Sequence, residues 1–249
     1  MVSTRGKLVS IAEVWCKEET KNKPKADVIY YFLQEKPIEG TQCHEFYTIE
    51  IDLTQSEEKL WDDISKNDKY KIRRARDKDG LIYKYFNVID DDILEEFCDF
   101  FNHFAYRKGL KSIKKTRLKT FVESGSLVLS KISSDDGTTL VWHSYYYQES
   151  RVHLLQSASA RHEANTNFNS MIGRGNRYHH WKDILTFKNL GIPIYDFGGW
   201  YAGNTDQERL GINQFKEKFG GEIVKSFNCS YGRTFKGRAY LHLQKILRN

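Results

Sequence analysis

The sequence predicts a mixed α/β (α+β) fold, with a central antiparallel meander flanked by helices. Two observations predict it. Three strand-like runs at 126–133, 138–147 and 151–158 follow one another, joined by the turn-forming stretches Asp135-Asp136-Gly137 and Gln148-Glu149-Ser150. Just before them, residues 91–108 carry Ile93, Leu94, Phe97, Phe100, Phe101 and Phe104 at helical spacing, an apolar face that needs a flat apolar partner. The order from residue 54 onward is helix, strand, helix, three antiparallel strands, helix, strand, helix, strand, which is not that of a doubly wound parallel sheet.

The remaining elements follow in order. Residues 27–33 and 46–53 read as strands, the second by clean alternation, with a charged connector at 17–25 before them. Residues 54–79 read as a helix opened by a capping box, Thr54 with Glu57, and broken near Asn67-Asp68. Gly80 ends it, and a strand covers 81–88. Asp90, Asp91 and Asp92 suit the positive start of the next helix, which Gly109 stops. After the meander, a polar loop at 161–170 leads to a helix at 176–190 capped by Gly191. A short strand at 192–197, broken by Gly198-Gly199, precedes a helix at 207–219, a strand at 222–229 and a C-terminal helix from Ala239.

The chain of 249 residues has 39% hydrophobic and 29% charged residues, the balance of a soluble globular protein. No run approaches the ~20 apolar residues of a membrane helix, and the N-terminus lacks the apolar core of a signal peptide. Cys16, Cys43, Cys98 and Cys229 are widely scattered, so neither a disulfide framework nor a zinc site is expected, and a cytoplasmic, reducing location fits. The net charge of +6 is accounted for by surface lysine or by an anionic partner such as a tRNA or a phosphate-bearing donor.

Several segments could carry chemistry. Ser170-Met171-Ile172-Gly173-Arg174-Gly175-Asn176 runs from loop into helix, where glycine backbone N–H groups could hold a donor phosphate; a plain glycine turn is the alternative. Tyr195-Asp196-Phe197-Gly198-Gly199-Trp200 puts a carboxylate at a strand end, in a cleft or in a tight turn. Lys216 follows Phe215, which shares a helix face with Phe219, and either reaches a site or solvates the helix. The basic tract 69–76 is a solvated face or an anion contact. His143, among apolar strand neighbours, is a bonded core histidine or a base. The adjacent His179 and His180 point different ways on a helix, so no metal site is expected.

Taken together, Tyr70-Lys71-Ile72-Arg73-Arg74-Ala75, Ile172-Gly173-Arg174-Gly175-Asn176-Arg177, Tyr195-Asp196-Phe197-Gly198-Gly199 and Phe215-Lys216-Glu217-Lys218-Phe219-Gly220-Gly221 resemble the FemAB-like branch of the GNAT N-acetyltransferase superfamily. The phosphate-loop pattern departs at its first position, Ser170. The resemblance implies a GNAT-like transferase domain at 59–234, N-terminal strands at 1–58 that extend the sheet or shape the acceptor side, and a C-terminal helix at 235–249. It implies an acyl-CoA or aminoacyl-tRNA co-substrate, no tightly bound cofactor, and a small amine acceptor such as an amino sugar or amino acid. By matching motif, Lys216 stabilises charge on the reacting carbonyl and Asp196 orients or deprotonates the amine. Gly173, Arg174, Gly175 and Asn176 would hold the donor. Arg73, Arg74, His143 and Asn213 would contact substrate. The rival reading is a tRNA- or nucleic-acid-binding module on the same fold without catalysis.

Overall fold

The computed structural model describes residues 2–5, 9–16, 24–160 and 166–247. Most of the expected connector at 17–25, and residues 161–165 of the expected loop, lie outside them. In chain order come β1 (Val2–Arg5), β2 (Ser10–Trp15), β3 (Val28–Gln34), β4 (Gln42–Asp52), α1 (Glu57–Asp63), α2 (Lys66–Asp77), β5 (Ile82–Phe86) and α3 (Asp91–Arg107). Then follow α4 (Lys115–Glu123), β6 (Leu127–Ser133), β7 (Thr139–Gln148), β8 (Arg151–Ser159), α5 (Thr166–Asn189), β9 (Ile194–Trp200), α6 (Gln207–Glu217), β10 (Glu222–Gly232) and α7 (Phe235–Ile246). The chain divides into two compact units, residues 1–48 with 224–249, and residues 49–223.

In the first unit β1 and β2 are antiparallel, β2 and β3 parallel, and β3 and β10 antiparallel. The Asp27 carboxylate accepts the backbone N–H and hydroxyl of Ser10, each at 2.9 Å, and the Thr234 hydroxyl at 2.7 Å. These donors, the Ser10 N–H foremost, hold its pKa down at about 2. The expectation of no disulfide is corrected here. Cys43 on β4 and Cys229 on β10 are bonded, with Cα atoms 4.0 Å apart although 186 residues separate them. Sequence spacing gave no sign of the pair because strand adjacency, not chain proximity, brings the thiols together. With this bond the cysteines no longer point to a reducing location. No helix of the described residues is long and apolar enough to cross a membrane.

In the second unit the order β9-β8-β7-β6-β5 contains the expected meander, antiparallel from β5 through β8. β7 shows why the sheet needs helices on both faces. Trp142 packs on Phe97 of α3 and on Phe86, while Tyr145 packs on Phe187 of α5. The α3 helix begins as the aspartates predict, with the Asp90 side chain accepting the Ile93 N–H at 2.8 Å. The break between α1 and α2 falls at Ile64-Ser65 rather than at Asn67-Asp68, because Ser56 and Ser65, not Thr54, supply the caps. β1, β2 and α4 were not expected; α4 is short, polar and lacks a side-chain cap.

Two features of this unit shape the site. Between Ser144 and Tyr145 the β7–β8 register slips by one residue, a bulge that bends β8. β8 then pairs in parallel with β9 only at Val152–Tyr195 and His153–Asp196, although both strands run on. Past the pairing, β9 does not break at Gly198 as expected. Gly198 adopts φ +72 within the strand, and a Cβ there would lie 2.7 Å from the Leu154 carbonyl oxygen.

Candidate active site

Beyond the last β8–β9 pair lies a cavity of about 510 Å³. Leu154 and Ser157 of β8 and Phe197 of β9 form one side. The α5 residues Gly173, Asn176, Arg177 and His180, spaced i, i+3, i+4, i+7, present one helical stripe to it. The α6 residues Glu208, Gly211, Ile212, Phe215 and Lys216 present another.

Lys216 is the charged group most deeply set in this cavity, with 9% of its surface exposed. Its ammonium donates to the Gly199 carbonyl at 2.5 Å, and no carboxylate among the described residues pairs with it. Burial pushes its pKa down to about 8, against an opposing pull from Asp196. The cation therefore faces the cavity with hydrogen-bonding capacity left over, the property needed to meet a developing oxyanion.

Arg177 is fixed by three partners: Asp68 Oδ1 at 2.8 Å, the Gly173 carbonyl at 2.8 Å, and the Phe215 ring at 5.0 Å. With Gly173 it also lines a second hollow of about 320 Å³, between α2 and α5, whose other walls include Tyr70, Lys71 and Arg74. Burial, and then the Arg177 charge, lower the Lys71 pKa. This basic groove shares its edge with the cavity.

A buried polar network underlies the floor. Asp183 accepts Tyr83 OH at 2.8 Å on one oxygen and Tyr145 OH at 2.7 Å on the other, with His143 Nδ1 also 2.7 Å away. Tyr145 OH lies 2.9 Å from Tyr195 OH, and Tyr195 OH lies 2.8 Å from His180 Nδ1. Burial raises both phenol pKa values well above 10 and lowers that of His180 well below 6.5. His143 Nε2 meets Asn176 Oδ1 at 3.0 Å.

His143, His179 and Asp183 bring potential metal ligands within 4.8 Å of one another. The rings of His143 and His179 lie 3.7 Å apart and within 5° of parallel. Nitrogen lone pairs lie in the ring plane, so parallel planes do not converge on one ion at the ~2.0–2.1 Å that ligation needs. His179 Nε2 is bonded to Ser130 at 2.8 Å, and the trio is a hydrogen-bonded core cluster.

Of the residues singled out from sequence, Lys216, Gly173 and Asn176 meet at the cavity, and Arg74 lies in the adjoining groove. The loop-to-helix junction expected at 170–176 is instead helix interior, since α5 already runs from Thr166. Gly173 and Gly175 therefore have their N–H groups within a helix rather than at an open anion nest. Gly175 instead faces the sheet, where a Cβ would come within 3.1 Å of Leu81. Arg174 forms a bidentate pair with Asp79 at 2.6 and 2.9 Å. Arg73 stacks over Trp61 at 5.3 Å, in a different hollow from Arg74. Asp196 is fully buried below the cavity, beside His153 Nδ1 at 2.9 Å and Arg151 at 3.4 Å, and accepts the Gly198 N–H at 2.7 Å. Asn213 holds Tyr201 at both backbone groups, 2.9 and 2.8 Å, and is a clamp on the segment after β9. His143 is fully buried and does not line the cavity. Sequence reading missed His180 and Arg177 as site residues. Their i+4 and i+7 spacing from Gly173 was the available signal, hidden by the expected helix start at 176.

No family model matches the sequence, and no curated protein matches it either. The fold does match solved structures. FemX superposes with a TM-score of 0.59 at 14% identity, over 74% of this chain and 61% of that one. The C-terminal domain of a presumed lysylphosphatidylglycerol synthetase from Agrobacterium fabrum gives 0.56 at 12% identity, over 86% and 70%. L-PGS from Bacillus licheniformis gives 0.56 at 11% identity, over 88% and 72%. The chain thus spans less than two thirds of FemX. The fold shared with these structures is a mixed sheet flanked by helices, and in this chain a cleft opens where two parallel strands part.

Proposed function

We propose that this protein is an acyltransferase that moves an acyl or aminoacyl group from an activated ester or thioester to the amino group of a small acceptor. The observation that carries the reading is Lys216, a buried cation that no carboxylate among the described residues pairs with, set at a cleft where β8 and β9 part. A carbonyl under attack gains negative charge, and a fixed ammonium favours that state over the neutral ester. Asp196 does not face the cavity, so its part is to hold the Gly198 backbone N–H within β9 and to keep Lys216 protonated.

Aminoacyl-tRNA suits the donor side better than acyl-CoA. Lys71, Arg74 and Arg177 form a basic groove that meets the cavity, and the exposed Tyr70 ring adds a stacking surface. The glycines that would have cradled a CoA pyrophosphate are helical. The same groove favours, as a second reading, a tRNA-binding module without catalysis.

The test is to incubate the protein with aminoacyl-tRNA or acyl-CoA and a panel of amino sugars and amino acids, and to read amide product by mass spectrometry. Amide formed by the wild type and lost in Lys216→Ala supports the transferase. Equal binding of charged and uncharged tRNA, with no amide from any donor, would replace it with the binding module.

A further inference from the structure

We infer that His180 is the proton acceptor for the attacking amine, its tautomer fixed by a three-bond relay to Asp183; this deepens the transferase reading and rests on it. The relay has a direction. Asp183, as a carboxylate, has no proton to give, so the bond at 2.7 Å is donated by Tyr145 OH. A phenol has one proton, so the 2.9 Å bond between the two tyrosines is donated by Tyr195. The Tyr195 oxygen must then accept, and its 2.8 Å partner His180 supplies the proton from Nδ1. His180 is thereby held as the Nδ1–H tautomer. Its ring lines the cavity, and Nε2, which bonds to no described protein atom, presents a lone pair there.

The groups facing this ring come from four elements: His143 on β7, Tyr195 on β9, Arg177 on α5 and Lys216 on α6. Burial, and after it His143, Lys216 and Arg177, keep the resting imidazole neutral and so available as an acceptor. Once Nε2 takes a proton, the relay spreads the new charge toward Asp183 through two phenols that stay protonated.

The step balances. The amine nitrogen forms a bond to the carbonyl carbon while one N–H proton passes to His180 Nε2 and the oxyanion forms beside Lys216. Collapse breaks the bond from carbon to the ester oxygen or thioester sulfur, and the same proton passes from Nε2 to the leaving group. His180 returns to its starting tautomer, and no other reactant is consumed.

The experiment is nitrogen-15 NMR of histidine-labelled full-length protein, with His180→Gln to assign the ring and Tyr195→Phe to cut the relay. The expected result is a His180 ring with protonated Nδ1 and unprotonated Nε2, whose tautomer is no longer held in Tyr195→Phe. A wild-type ring protonated at Nε2 would overturn the inference. Transfer assays give the second reading: His180→Gln should fall ~100-fold or more in kcat and recover as rising pH deprotonates the amine. Full activity and an unchanged pH profile in His180→Gln would also overturn it. If the wild type transfers nothing, the transferase reading fails, while the ring spectrum still decides whether His180 offers its lone pair.

Discussion

Lys216 Nζ lies 2.5 Å from the carbonyl oxygen of Gly199, so a residue of α6 grips the end of β9 with the same ammonium that faces the cavity. One hydrogen bond fixes the cation in place and leaves the other two N–H directions for a ligand. This arrangement makes the lysine both a catalytic candidate and an electrostatic burden on the fold.

Activity should depend on that ammonium. Lys216→Ala is expected to lower kcat ~10²–10³-fold with the fold intact by circular dichroism. In the wild type, kcat/KM should decline above about pH 8, where Lys216 loses its proton. Lys216→Arg should keep part of the activity and shift that decline upward.

Stability should move the other way. The folded-state pKa of about 8 lies below the ordinary 10.5, so the folded protein resists holding this proton. The resulting penalty is complete below about pH 8 and relieved as pH rises toward 10.5. Lys216→Met should therefore gain ~1–3 kcal/mol at pH 7, after losing the Gly199 bond, with the gain fading toward alkaline pH in urea titrations.

Asn213→Ala should behave as a structural lesion. Removing its side chain strands both the N–H and the C=O of Tyr201, at a cost of ~1–3 kcal/mol. Thermal denaturation should show the loss, while KM for the amine in the folded fraction stays near the wild-type value. A large KM change would return Asn213 to the substrate site.

Arg73 and Arg74 should separate cleanly. Arg74→Ala is expected to weaken tRNA binding and to reduce the slope of log K against log salt by about 1. Arg73→Ala, whose guanidinium lies over Trp61, should leave that slope alone. Binding titrations at several salt concentrations read both.

What was legible in the sequence was local. The meander declared itself through alternation and short turns, and α3 through an aspartate cap and phenylalanines at helical spacing. Lys216 stood beside Phe215, which the structure places in the cavity wall, while Phe219 of the same stripe is buried in the core. The start of α5 was not legible, because Gly173 and Gly175 weaken intrinsic helix preference while packing against Leu81 wins. Asp196 looked like a free strand-end carboxylate, since its partners Arg151 and His153 sit on a strand some forty residues earlier, about the span of α5 and its flanking loops. The relay below the cavity joins β7, α5 and β9, and no sequence window contains it.

The bond between Cys43 and Cys229 has a topological result: it makes a covalent ring of the main chain, and residues 49–223 lie wholly inside it. A protease cutting once anywhere in that span would leave a nicked protein that migrates as a single piece until a thiol reductant is added. Closing so long a loop withdraws ~5 kcal/mol of configurational freedom from the unfolded chain by the entropic model. The melting temperature should accordingly fall on reduction, and it should ignore the reductant altogether in Cys43→Ser.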